Sequence, residues 1–285
     1  MHWLAHLAFL FALAAASAPA QDALPTSDAA ALPDIPTLLH AVEDQQKLAE
    51  AAQKDYLYKV YTVREEADSH GNPKKTTSTL ADSLTIDGIR VNRITQRNGR
   101  DLTPDEQKKE TARVDKEIEK ARSRRQKNTD SEDRDEITVS RFLALGAFTN
   151  PRREDRDGRP TLAIDFTGDS HAKTRNTGEG LIRDMAGTVW ISEQDRAIVR
   201  IEGHAVEDFR IGAGLVADLR KGTSFAIQNT ASIDAQTGKN IWLPAQIDAR
   251  GSLRYLLFFS FSGSVHITCS DYRKFQATST VLPMP

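Results

Sequence analysis

The sequence predicts an α+β protein that is mainly antiparallel β, with a curved open sheet (a half-barrel) and helices over its concave side. The first observation is the stretch 185–275, which reads as strand after strand separated by short polar turns. The second is that this stretch carries almost no helix pattern and no catalytic cluster. Neighbouring strands joined by short turns are typical of a meander or an open barrel. Such a sheet indicates a protein that holds something rather than an active site.

The N-terminus is typical of a signal peptide covering residues 1–20. Residues 7–16 are a run of Leu, Ala and Phe, and residues 18–20 form an A-x-A cleavage signature, although no Lys or Arg precedes the run. We therefore expect cleavage near Ala20 and a soluble mature chain in the periplasm. Residues 21–35 read as a flexible leader. Residues 36–285 are expected to form one half-barrel domain with a helical insertion at about 103–148.

Composition excludes several classes of protein. The net charge is −2, and Lys and Arg are interspersed with Asp and Glu, so no nucleic-acid partner is expected. Cys269 is the only cysteine, so an internal disulfide is excluded and burial must hold the core. After the signal peptide, no stretch approaches the roughly 20 apolar residues of a membrane span.

The first half of the domain predicts two helices around a β-hairpin. An apolar stripe indicates a helix over 37–53, started by Asp34. Strands over 75–86 and 89–97 are joined by Asp87-Gly88, a two-residue hairpin signal. Thr103-Pro104-Asp105-Glu106 then begins a charged helix that runs to about Lys127, with a capping box and pairs such as Glu110–Arg113. Its basic end, 122–127, leaves a peripheral contact with anionic lipid open.

The second half predicts further elements around the strands. Residues 137–148 indicate a second helix that packs on the sheet, and 181–185 a short helical turn. Strands are expected over 223–231, 240–247, 253–261 and 265–275. Residues 212–217 fit the dinucleotide pattern G-x-G-x-x-A, but the flanking strands look antiparallel, whereas that motif needs a parallel βαβ unit. We instead expect a helical crossover over 214–220.

Several short patches resemble a known family. These are Tyr56-Leu57-Tyr58 after the first helix, GTVWIS at 187–192, DRAIVRIEG at 195–203, Trp242-Leu243-Pro244, and SDYRKF at 270–275. Together they resemble outer-membrane lipoprotein-sorting-like proteins of the LolA, LolB and RseB group. The resemblance implies a half-barrel of antiparallel strands with helices across its open side, and acyl-chain binding in the concave face of some members. The charged helix over 103–127 is an addition to that layout and indicates a relative rather than a sorting carrier.

Motifs for catalysis and metal binding are not found in the sequence. There is no G-x-S-x-G nucleophile elbow and no H-E-x-x-H, and the histidines after the signal peptide are scattered. Carboxylates are abundant, but no acid–base pair can be chosen from sequence alone. We therefore expect no catalytic residue, no metal and no cofactor.

Apolar side chains on the strands give the better indication of function. In 254–261 both faces of the predicted strand carry apolar residues, so one face packs on protein and the other meets either protein or a ligand. Ordinary core packing is the more common explanation of such a pattern, and a ligand groove is the functional one. The candidate groove residues are Tyr58, Phe142, Leu145, Trp190, Phe225, Ile227, Trp242, Tyr255, Leu257 and Phe259.

Three functions follow from these observations. The first is an exported, non-enzymatic protein that holds an acyl chain, a lipid or a lipidated protein in the groove. The second is an envelope interaction or sensor module without a small ligand, which docks through the charged helix. The third is an exported hydrolase, whose residues would have to converge from distant positions.

Overall fold

The computed structural model describes residues 31–274, except 69, 71, 87, 128–138, 176, 212–216, 235–237, 239 and 256–258. The helices are α1 (Ile35–Gln53), α2 (Pro104–Lys127), α3 (Val139–Leu143) and α4 (Thr177–Arg183). The strands are β1 (Tyr56–Ala67), β2 (Pro73–Ile86), β3 (Ile89–Arg97), β4 (Arg100–Asp101), β5 (Gly146–Arg156), β6 (Arg159–Gly168), β7 (Met185–Ser192), β8 (Ile198–Ala205), β9 (Phe209–Ile211), β10 (Ala217–Leu219), β11 (Ser224–Ile233), β12 (Asn240–Tyr255) and β13 (Phe259–Lys274).

All the strands belong to one antiparallel sheet. Its order is β4-β3-β2-β1-β13-β12-β11-β8-β7-β6-β5, while β10 pairs with both β9 and β12. The sheet is open, because β4 and β5 end the path without pairing with each other. The predicted mainly antiparallel, open half-barrel is therefore confirmed.

Helix α1 begins where the sequence places its cap. Asp34 accepts hydrogen bonds from the Thr37 backbone N–H at 3.1 Å and from the Thr37 hydroxyl at 2.8 Å, which satisfies a free donor of the first turn. The apolar stripe of α1 is buried against β6 and β7 in one cluster: Leu38, Leu39, Val42, Leu162, Ile164, Val189 and Ile191. Burying each such side chain stabilises the fold by about 1.5–3 kcal/mol.

The path of α1 shows which way the sheet curves. Its N-terminal half packs on β6 and β7, whereas the Gln53 carbonyl at its other end accepts a hydrogen bond from Arg90 of β3. Seven strand-to-strand steps separate β7 from β3, or about 34 Å across a flat sheet. From Leu38 to Gln53 the helix rises only about 23 Å. The sheet therefore bends towards α1, and we call the face that α1 covers the inner face.

Helix α2 lies on the outer face, near the β3 end of the sheet. Its sparse apolar residues Val114 and Ile118 are buried against Ile89 and Val91 of β3. The predicted capping box is present, since the Thr103 N–H donates to Glu106 Oε2 at 2.8 Å and Thr103 Oγ1 accepts from the Glu106 N–H at 3.4 Å. Most of the α2 surface is charged, so only a few apolar side chains attach the helix to the sheet.

Four predicted elements differ from the observed ones. Within 137–148 only Val139–Leu143 is helical, and β5 begins at Gly146. The predicted single strand 253–261 is instead the end of β12 and the start of β13, with Tyr255 opposite Phe259. In 214–220, residues 217–219 form strand β10 rather than a helix, and 214–216 lie outside the described residues. The helical turn expected at 181–185 belongs to α4, and Met185 already starts β7.

Candidate functional site: the apolar inner face

A row of isoleucines crosses the centre of the inner face. The strand register pairs Ile201 of β8 with Ile227 of β11, Ile227 with Ile247 of β12, and Ile247 with Ile267 of β13. Directly opposed residues of antiparallel strands lie on the same face, with Cβ atoms about 5 Å apart. Each of the four isoleucines is only partly buried. The inner face of the half-barrel therefore keeps apolar surface that its own core does not fully cover.

A second apolar row lies beside the first. Gly203 pairs with Phe225, Phe225 with Ala249, and Ala249 with Val265. The three side chains of this row are also partly buried. We call the two rows together the apolar face: Ile201, Ile227, Ile247, Ile267, Phe225, Ala249 and Val265.

A small cavity of about 70 Å³ opens at the β7 end of the apolar face. Phe142, Phe166, Ile182, Met185, Val189, Ile201 and Phe225 line it. Gly187 and Gly203, which pair in register, also line the cavity. A Cβ on Gly203 would come within 2.6 Å of the Phe225 ring, so the Phe225 side chain occupies the space that the missing Cβ leaves.

Two short helices fix one wall of this cavity. α3 supplies Phe142, whose ring stacks on Phe166 at a centroid distance of 4.9 Å, and α4 supplies Ile182. Arg141 of α3 donates to both carboxylate oxygens of Glu179 in α4, at 2.9 and 2.8 Å. The Arg141 guanidinium lowers the pKa of the Glu179 carboxyl from 4.5 to about 2. Ion pairing thus joins the two helices that carry the cavity wall.

Four of the predicted groove residues lie on or beside the inner face, and a fifth is buried. Phe225 and Ile227 belong to the apolar face, and Phe142 lines the cavity. Tyr58 lies on the inner side of β1, and its ring stacks on that of Tyr272 with 4.7 Å between the ring centroids. The fifth, Leu145, is fully buried after α3, which leaves it no surface for a ligand.

Three predicted residues belong to the segment 255–259. Tyr255 ends β12 and pairs with Phe259 at the start of β13. Leu257 lies outside the described residues.

Trp190 and Trp242 are on the outer face, away from the other predicted residues. Both are buried in one cluster with Val199. The Trp190 indole N–H donates to Glu154 at 2.7 Å, and that of Trp242 donates to Asp195 at 3.0 Å. Buried indoles with satisfied donors are typical of structural residues.

Sequence reasoning did not single out Ile201, Ile247 or Ile267, nor Ile182 and Met185 in the cavity. Each isoleucine sits in a strand with ordinary alternation, so its local sequence resembles any half-buried strand. Only the register shows that the isoleucines align. A search for β-branched residues at matching positions of consecutive predicted strands is the signal that could find them.

Within the part of the chain that the structure describes, no three His, Cys, Asp or Glu side chains are grouped closely enough to hold a metal ion. Cys269 lies opposite Val60 of β1, and burial raises the pKa of its thiol, an effect that a hydrogen bond with Tyr272 partly offsets. A buried thiol of raised pKa is a poor nucleophile.

No helix among the described residues is both long and apolar enough to span a membrane.

Comparison with known proteins gives likenesses of structure only. No protein-family model and no curated protein matches the chain. The chain is similar to a domain named for outer membrane lipoprotein sorting, from Vibrio parahaemolyticus, with 11% identity and a TM-score of 0.37 over 83% of this chain and 93% of that one. A DUF1329 family protein from Desulfovibrio piger has 11% identity and a TM-score of 0.34, over 85% and 95% of the two chains.

A LolA superfamily protein from Nitrosomonas europaea has 10% identity and a TM-score of 0.28, over 83% of this chain and 94% of its own. Superpositions this loose carry no statement about a ligand, and the architecture rests on the strand order of the chain itself. The structures similar to this chain thus include members of the half-barrel group that its sequence resembles.

Proposed function

We propose that the protein is an exported, non-enzymatic binding protein of the cell envelope that holds an acyl chain, as a lipid or a lipidated protein, against the apolar face. The observation that carries this proposal is the partial burial of both apolar rows on the inner side of a curved sheet. An apolar sheet face is normally covered by another layer of the protein. Covering it with a ligand would contribute about 25 cal/mol for each Å² of apolar surface removed from water.

The size of the cavity bears on how the ligand lies. At about 70 Å³ it is well below the roughly 300–1,000 Å³ of ordinary small-molecule pockets. The acyl chain would therefore use the cavity for one end only and run along the isoleucine row.

Export supports a periplasmic site of action. The signal-peptide pattern of residues 1–20 directs the mature chain out of the cytoplasm. In the periplasm an apolar ligand has to cross water. A protein that covers the acyl chain removes its apolar surface from water and so lowers its free energy.

The proposal is tested by extracting the natively purified protein with organic solvent and identifying the extract by mass spectrometry. Ile227 and Gln228 are neighbours in β11 that point to opposite faces, so I227E and Q228E add the same charge to the inner and the outer face. We expect lipid in the wild type and in Q228E, and its loss in I227E. Circular dichroism tests whether each variant folds. If I227E does not fold, I227S provides a milder change at the same position.

A wild-type protein that carries no lipid, and that also fails to bind a fluorescent fatty acid added in solution, would contradict the proposal. So would an I227S variant that folds and binds the fatty acid as tightly as the wild type.

A further inference from the structure

The outer face of the sheet carries a groove of about 940 Å³ that the proposed function does not use. Charged and hydroxyl side chains of seven strands line it: Arg152, Asp165, Thr188, Arg200, Glu202, His204, Ser224, Asp248, Arg250, Ser264 and His266. Its volume lies within the range of small-molecule sites. Its lining, however, is suited to a polar ligand.

Two carboxylates of the groove are neutralised by arginines. Arg152 donates to Asp165 at 3.0 Å, and Thr188 donates to the same oxygen at 2.8 Å. Arg200 donates to Glu202 at 2.5 Å. These pairs leave little net charge at the β6–β8 end of the groove.

The third carboxylate is also occupied. Asp248 Oδ1 lies 2.5 Å from His266 Nδ1, and Asp248 Oδ2 accepts from the Gln246 amide at 2.7 Å. Although partial burial alone would raise the pKa of Asp248, the His266 and Gln246 hydrogen bonds lower it below its ordinary value. Asp248 therefore has both oxygens engaged, although it lies two residues from Arg250 on the same side of β12.

Two basic side chains of the groove have no such partner. Among the residues that the structure describes, neither Arg250 nor His204 has a side-chain hydrogen bond or an ion pair, and both are exposed. Glu65 lies two strands beyond Arg250 and accepts a hydrogen bond from the intervening Ser264 at 3.1 Å. Within the described lining of this groove, Arg250 is thus the one arginine that has no carboxylate hydrogen-bonded to it.

The register brings Arg250 and His204 to either side of one serine. Ser224 of β11 pairs with His204 of β8 and with Arg250 of β12, so the three side chains form one row on the outer face. Each pair of Cβ atoms in such a row is about 5 Å apart. The guanidinium and the imidazole can therefore converge over the Ser224 hydroxyl, which supplies a third donor.

We propose that the Arg250–Ser224–His204 row is an oxyanion-binding site that takes the phosphate or carboxylate group of a polar molecule lying in the groove. A guanidinium offers two parallel N–H donors to such a group, which an ammonium cannot do. The ionic pairs along the rest of the groove offer donors and acceptors to the hydroxyl groups of the same molecule. This site is on the opposite face of the sheet from the apolar face and does not depend on lipid binding.

The test is a titration of the full-length mature protein with inorganic phosphate. Binding is measured by calorimetry and by the NMR chemical shifts of the His204 ring. R250Q removes the guanidinium in the row, whereas R273Q removes an exposed arginine of β13 outside the groove and changes the net charge equally. We expect R250Q to weaken phosphate binding about tenfold or more, the loss for one charge-assisted pair, and R273Q to leave it unchanged. S224A, which keeps the charge, is expected to weaken binding less.

A second arm distinguishes the sources of the oxyanion. Co-sedimentation with vesicles containing phosphatidic acid, lost in R250Q, would assign the group to a lipid headgroup, whereas phosphate binding without co-sedimentation would assign it to a soluble molecule. Equal weakening in R250Q and R273Q would overturn the proposal, because it would show only general electrostatic attraction. A wild-type protein whose His204 shifts do not respond to phosphate would overturn it as well.

Discussion

Arg141 and Glu179 form a two-point ion pair between helices that are 38 residues apart in sequence. The Glu179 side chain is only 2% exposed, and it also accepts a hydrogen bond from the Arg175 backbone N–H at 2.6 Å. One carboxylate therefore fastens α3, α4 and the loop before α4 next to the cavity. Removing Glu179 should therefore loosen all three of these segments of the cavity wall.

Replacing Glu179 by Ala should destabilise the fold by about 2–3 kcal/mol, because it removes the carboxylate that pairs with the Arg141 guanidinium and that accepts from the Arg175 N–H. The measurement is urea unfolding followed by circular dichroism. E193A is the control, since Glu193 pairs with Arg153 at a more exposed position and its loss should cost less than about 1 kcal/mol. Equal effects of the two substitutions would show that the Glu179 pair has no special weight.

The same residue predicts how stability depends on pH. The pKa of Glu179 is about 2 in the folded protein and about 4.5 without its partners, so the folded state binds this proton less tightly than the unfolded state. The stabilisation is therefore complete above about pH 4.5 and is lost as the pH falls towards 2. Urea midpoints measured across this range should fall more steeply in the wild type than in E179Q, and parallel curves would refute the assignment.

Helix α2 should depend on its capping box. Thr103→Ala removes the acceptor for the Glu106 N–H and is expected to cost about 1 kcal/mol, the usual value for an N-cap. Thr103→Ser keeps the hydroxyl and should restore most of the loss. Thermal melts of the two variants provide the comparison, and a T103A variant as stable as the wild type would mean that the cap is not needed.

Two paired glycines should respond differently to the same substitution. A Cβ on Gly187 would lie 2.0 Å from the Glu202 carbonyl oxygen, whereas one on Gly203 would meet the Phe225 ring. Backbone cannot move without breaking the β7–β8 ladder, but a ring can rotate. We expect G187A to cost about 3 kcal/mol, the upper end for overpacking, and G203A distinctly less. Unfolding free energies would decide, and the reverse order would contradict the close approach of β7 and β8.

Cys269 should react slowly with thiol reagents. Burial raises its pKa, so less thiolate is present at a given pH than for a free cysteine. Modification by a disulfide reagent at pH 8 is expected to be about tenfold slower in the folded protein than in urea. Since the chain has a single cysteine, the absorbance change reports this site alone. Equal rates in the two conditions would show that the thiol is exposed.

The elements that the sequence predicted best are those with local signals. The cap of α1, the capping box of α2 and the Glu110–Arg113 ion pair at 2.7 Å depend on residues three positions apart, and all are observed. The end of β12 and the start of β13 were predicted as one strand, because 255–259 contains no Gly, Pro, Asn or Asp to mark a break.

The site was predicted only in part, because the face of a residue depends on register. Trp190 lies between Val189 and Ile191, which pack against α1, so the alternation of β7 places it on the outer face. Trp242 belongs to the same outer cluster, although both residues, as large apolar side chains, were predicted to line the groove. Phe225 and Ile227, in a regular stretch of β11, lie on the inner face, and their contact with a ligand stays a prediction.

An open sheet of this length has two free margins, which invite pairing with another molecule. β4 contains only two residues, and farther along the edge the Ile94 N–H of β3 donates to Glu110 and the Asn92 carbonyl accepts from Arg113, both in α2. β5 carries Pro151, which has no N–H to donate, beside Asn150 with a φ of +54° and a bulge between Thr149 and Arg152. Both edges of the sheet therefore oppose strand pairing with another molecule. This favours a protein that stays monomeric even though its concave face carries apolar surface.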